Sequence, residues 1–94
     1  MKLREATITS DVCQSYDGLH DYLKEALGFP DYYGRNMSAL ADCLAEAGLP
    51  MLINVRIDPD ALPPEMHANV IKLVQVCARE ALVNENVSLI IEHP

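Results

Sequence analysis

The stretch FPDYYGRNMSALADCL, Phe29 to Leu44, joins a stiff aromatic turn to a helix. Pro30 fixes its own φ and keeps a preceding helix from running on. Asp31 to Arg35 reads as a turn, and Asn36 can cap the next helix. Met37, Leu40, Cys43 or Leu44, and Ala47 recur at intervals of three and four, the spacing of one buried helix face, and Gly48 and Pro50 end it. Asp42 falls in mid-helix, where aspartate is a poor helix former. Neighbouring residues on a helix diverge by about 100°. Cys43 turned inward, as an inert core thiol, therefore sets Asp42 outward. Ser38 at i−4 and Glu46 at i+4 extend a polar stripe through Asp42, with the small residues Ala41 and Ala45 beside it. Such a stripe is commonly no more than a solvated face.

Upstream of this segment, Thr7-Ile8-Thr9 and the turn residues after it place a strand over about Lys2 to Ile8. Ser15 can cap a helix running to about Leu27, with Leu19, Leu23, Ala26 and Leu27 on one face and Gly28 as its stop. Downstream, Met51 to Val55 is short, apolar and β-branched, as a central parallel strand buried on both faces would be. A Pro-rich loop or single turn runs from Asp58 to Pro64. A long helix from about Glu65 to Val83 buries Met66, Val70, Leu73, Val74, Cys77 and Ala81, and Val87 to Ile91 is a last strand. Strands separated by helical crossovers predict a parallel sheet. The fold class is α/β: one domain over residues 1–94, three parallel strands packed against helices.

Bulk properties limit the function classes. The 94 residues hold 7 basic and 14 acidic side chains, a net charge of −7. That balance argues against a nucleic-acid or anionic-membrane surface, since phosphate contacts need Lys and Arg. It suits a basic partner, although it also serves plain solubility. No apolar run is long enough to span a bilayer. The start, MKLREATITSDV, has no apolar signal region, so the expected location is cytoplasmic. Cys13, Cys43 and Cys77 are odd in number and lack paired spacing, and so read as free thiols.

Enzyme chemistry finds little support. Phosphate-loop, dinucleotide, zinc-protease and nucleophile-elbow motifs are all missing. His20, His67 and His93 are scattered over different elements, and His20 reads as a half-buried histidine at the helix–core boundary. No pair has metal-ligand spacing, so neither a metal nor another cofactor is expected. Two features suit binding instead: the adjacent tyrosines Tyr32 and Tyr33, of which Tyr33 is expected to plug the core edge, and the outward carboxylate of Asp42.

Taken together, these residues resemble a known family. PDYYGRNMSALADCL is similar to the signature segment of the barstar family, small cytosolic inhibitors of secreted ribonucleases of the barnase type. Pro30, Asp31, Tyr32, Tyr33, Gly34, Asn36, Ala39, Leu40, Asp42, Cys43 and Leu44 stand in register with it. Leu19-His20, Leu23-Lys24, Val74 to Val76, Arg79 to Ala81 and Ser88 to Ile91 extend the resemblance along the chain. It implies a barstar-like fold and a non-enzymatic, immunity-protein or antitoxin role, in which the chain plugs a basic microbial ribonuclease or related toxin and is a monomer when free. By the same resemblance Asp42 is the phosphate-mimicking carboxylate and Asn36 an asparagine that contacts backbone. Tyr32 would pack on the catalytic histidine, Gly34 is an interface glycine, and Glu80 is a peripheral steering carboxylate. Ser38 stands where the family has a second acid and Ala41 where it has a tryptophan. The loop Ala45 to Gly48 is shorter and lacks an interface aromatic. The candidate partner-binding set is Tyr32, Gly34, Asn36, Ser38, Ala41, Asp42, Glu46 and Glu80. The competing expectation is a barstar-like interaction module whose basic partner is not a ribonuclease.

Overall fold

Residues 3–92 are described by a computed structural model. Lys2 of the first expected strand and His93 lie outside the described residues. Strand β1 spans Arg4–Thr9 and leads through a 3-10 turn, Ser10–Cys13, into helix α1, Tyr16–Leu27. Helix α2 is Met37–Ala45 and strand β2 is Met51–Arg56. Two short 3-10 turns, Pro59–Ala61 and Pro64–Met66, precede helix α3, His67–Val83, and strand β3, Val87–Ile91.

The sheet has the order β1-β2-β3 and both pairings are parallel, as the alternation of strands and helices demands. Its register aligns Ala6 with Ile53 and Leu89, and Ile8 with Val55 and Ile91. Ala6, Ile8, Ile53 and Val55 join Leu19, Leu23, Leu40, Leu44 and Leu73 of the helices in one core. Each fully buried leucine among them contributes roughly 1.5–3 kcal/mol relative to exposure. On the second face of β2, Asn54 is buried and its Nδ2 donates to Glu5 Oε1 at 3.0 Å. At the β1 edge the Thr7 N–H donates to the Tyr22 hydroxyl at 2.8 Å, so α1 covers a backbone donor that has no strand to meet it.

The helix ends follow their sequence signals. Ser15 Oγ accepts from the Gly18 N–H at 3.0 Å, and Gly28 closes α1 in the left-handed region at φ 68°. Helix α2 stops at Ala45, two residues short of Ala47, which still packs on the core. Its last carbonyls are taken by side chains from the α3–β3 junction. Asn84 Nδ2 donates to Leu44 O at 2.9 Å and Ala47 O at 3.1 Å, and Asn86 Nδ2 donates to Ala47 O at 3.0 Å. These bonds answer the need of a helix C-terminus for donors, and together with packing on α3 they fix where α2 lies.

Candidate partner-binding site

The turn before α2 sends its two tyrosines opposite ways. The Tyr33 N–H donates to Pro30 O at 2.9 Å, closing the turn. The Tyr33 ring points inward, buried against Phe29 with ring centroids 4.9 Å apart. Tyr32 points outward and is 86% exposed, a large amphipathic ring left in solvent. Tyr33 thus fills the core edge as the sequence predicts.

Gly34 and Asn36 lock this turn to the helix. Asn36 Oδ1 accepts from the Ala39 N–H at 2.8 Å, while its Nδ2 donates to Gly34 O at 3.1 Å. A Cβ at position 34 would sit 3.2 Å from Asn36 Nδ2 and 3.3 Å from Ala39 Cβ, so a side chain there would press on the capping amide by a few tenths of an ångström. Between them Arg35 adopts φ 53°, a left-handed conformation that costs a non-glycine residue about 1 kcal/mol. Its guanidinium pairs with Asp21 of α1 at 2.6 Å. The start of α2 is therefore held by a side-chain cap on one side and an ion pair on the other.

A shallow depression of about 690 Å³ opens between this turn and α2, lined by Pro30, Tyr32, Tyr33, Gly34, Ala39, Asp42, Cys43 and Glu46. It brings together four of the residues singled out from sequence: Tyr32, Gly34, Asp42 and Glu46. Asn36 adjoins it through its bond to Gly34. Ser38 is exposed and Ala41 half-buried on α2, and neither lines the depression. Among the described residues Asp42 and Glu46 enter no ion pair, and both are exposed. Two uncompensated carboxylates thus border a floor made of tyrosine, alanine and cysteine.

Three placements differ from the sequence reading. Cys43 is half-buried and lines the depression rather than lying wholly inside the core. Burial first, and then the charges of Glu46 and Asp42, push its thiol up, which keeps it unreactive even there. His20 is fully buried rather than half-buried, with Nδ1 2.6 Å from the Tyr33 hydroxyl. Tyr16, His20, Leu23 and Leu27 share one spacing of four, three and four, a signal that places His20 on the packed face of α1. Glu80 is 9% exposed on the packed face of α3, in step with Leu73 and Cys77. Arg35, Asn84 and Asn86 also position the site, each through a tertiary partner that local sequence does not reveal. Among the described residues no three His, Cys, Asp or Glu side chains gather as a metal site would require.

Comparison with known proteins matches residues 3–92 to the family described as "Barstar (barnase inhibitor)". The chain belongs to the barstar family. A Bacillus subtilis (strain 168) protein, "Putative ribonuclease inhibitor YrdF", is 50% identical over 42 residues, 45% of this chain and 46% of that protein. The chain thus matches just under half the length of that curated relative. Among the described residues of this barstar-family chain, no helix is long and apolar enough to cross a membrane.

Proposed function

We propose that this protein is a cytoplasmic inhibitor, an immunity protein or antitoxin, of a barnase-type ribonuclease. The observation that carries the reading is Asp42: an exposed carboxylate without an ion partner among the described residues, on a capped helix, beside the exposed ring of Tyr32. A ribonuclease cleft must hold a phosphodiester, so it gathers arginine, lysine and histidine around an anion. A carboxylate on a rigid helix can occupy that phosphate position and accept charge-assisted, often bidentate, hydrogen bonds. Tyr32 supplies apolar area next to it, and the Asn36 bonds to Gly34 and Ala39 hold the turn in place. Glu46 adds a second charge on the same border. The inhibitor performs no chemistry of its own in this reading and works by occupancy.

Family membership and the name of the Bacillus relative, "Putative ribonuclease inhibitor YrdF", support this reading. Mixing the protein with a panel of microbial ribonucleases and following RNA cleavage tests it. Stoichiometric inhibition of at least one barnase-type enzyme is expected, and no inhibition across the panel would sink the idea. Ser38 and Ala41, small where the family carries an acid and a tryptophan, favour a second reading: a module that binds a basic protein other than a ribonuclease. Affinity capture with wild-type protein and Asp42→Ala separates the two by which nuclease or non-nuclease is lost with the mutation.

A further inference from the structure

Behind the binding turn sits a polar contact that occupancy of a nuclease cleft does not require. His20 is 0% exposed, with Nδ1 2.6 Å from the Tyr33 hydroxyl and no partner for Nε2. The Tyr16 ring meets the imidazole edge-on, with centroids 4.5 Å apart. Tyr33 in turn lines the depression between Tyr32 and Gly34. A neutral imidazole has one N–H and one lone pair, so either tautomer can serve Tyr33 and leave one nitrogen idle. A protonated ring has two N–H donors and a charge, and here the second donor would be buried without an acceptor among the described residues.

The groups around it do not offset that charge. On its own helix Asp17 and Asp21 favour the proton, while Arg35 of the turn opposes it. Asp21 is already paired with Arg35. From α2 and α3, Cys43 and Cys77 face Tyr33, and both thiols are pushed up and stay neutral. Burial, followed by Arg35, holds His20 below the ordinary histidine value.

We propose that His20 is a positioning residue for the Tyr32–Asn36 turn and acts as a proton-operated latch. On taking up a proton the imidazole leaves its seat, Tyr33 loses its hydrogen bond, and the partner-binding surface opens. The functional half of this inference rests on the inhibitor reading above. The sign follows from linkage: the closed state binds the proton less well than the open one. Closure is therefore fully favoured above the free histidine value of about 6.5 and lost as pH falls below it. One proton changes that equilibrium by at most about tenfold per pH unit. Only the closed turn fits a partner, so apparent affinity falls with the closed fraction.

The test compares wild type with His20→Gln, whose amide oxygen can accept from Tyr33 and does not titrate. Hydrogen-exchange protection of the Tyr33 and Ala39 amides is measured on the free protein from about pH 7.5 to about pH 5. Inhibition of a barnase-type ribonuclease is measured over the same range. Wild type should lose protection of both amides on acidification while His20→Gln holds it. The ratio of wild-type to variant inhibition constants should climb, by up to about tenfold per unit. The nuclease's own titration is common to both proteins and divides out. A wild-type protection profile as flat as the variant's, or a flat ratio, overturns the latch. Failure of wild type to inhibit at neutral pH sinks the inhibitor reading alone, because exchange is read without a partner. Should His20→Gln not fold, Tyr33→Phe keeps the ring and removes the hydroxyl. In that variant the backbone amides at positions 33 and 39 should lose protection at neutral pH, and unchanged protection overturns the latch.

Discussion

At the scale of single residues, the site depends on side chains kept apart by helical phase. Asp42 and Cys43 are neighbours in sequence, yet one faces solvent and the other packs half-buried beside it. Truncating Tyr32 to alanine should leave the fold intact, since its ring is 86% exposed. It should weaken partner binding by about 1 kcal/mol or more, read by calorimetry. The thiols give a second check. Burial pushes Cys13 up to about 11 and Cys77 up to about 12. At about pH 8 the thiolate fraction of either is then near one in a thousand or below. Alkylation of the folded protein should spare both until denaturant is added; rapid labelling of Cys77 in native conditions would contradict the packing.

At the scale of elements, helix α2 is placed by asparagines at both ends. Asn36→Ala removes the cap on the Ala39 N–H and should cost about 1 kcal/mol of stability in a urea titration. Asn84→Ala strips donors from the Leu44 and Ala47 carbonyls and should cost about 1–3 kcal/mol. A neutral result for Asn84→Ala would show that water serves those carbonyls equally well. The two ends differed in legibility. Asn36 could be read from sequence because a cap acts on its own helix, a few residues away. Asn84 could not be read that way, since its role depends on carbonyls 37 and 40 positions away that only the fold brings near. The same reason hid the Arg35–Asp21 pair and the His20–Tyr33 bond. The strands and helices themselves were legible because their apolar spacing is local, and β3 has the span expected of it, Val87–Ile91.

At the scale of the whole molecule, the net charge of −7 would govern encounter with the basic partner proposed above. Long-range attraction should raise the association rate at low salt, and raising ionic strength to about 0.1 M shortens the Debye length to about 10 Å. Stopped-flow association should therefore slow with added salt while dissociation changes little. A salt-independent association rate would rule out charge steering. The candidate binding surface was legible only where the family resemblance runs. Asp42, Tyr32 and Gly34 come together on one depression, whereas Glu80 turns into the packed face of α3. The inhibitor reading turns on the Asp42 carboxylate standing in for a phosphate in a ribonuclease cleft. The sharpest check is the inhibition constant of wild type and Asp42→Ala against one inhibited barnase-type ribonuclease, with circular dichroism confirming that both are folded. Removing the carboxylate should cost at least about 2 kcal/mol, roughly thirtyfold in the inhibition constant. Equal inhibition by the two folded proteins would refute the phosphate-mimic role of Asp42.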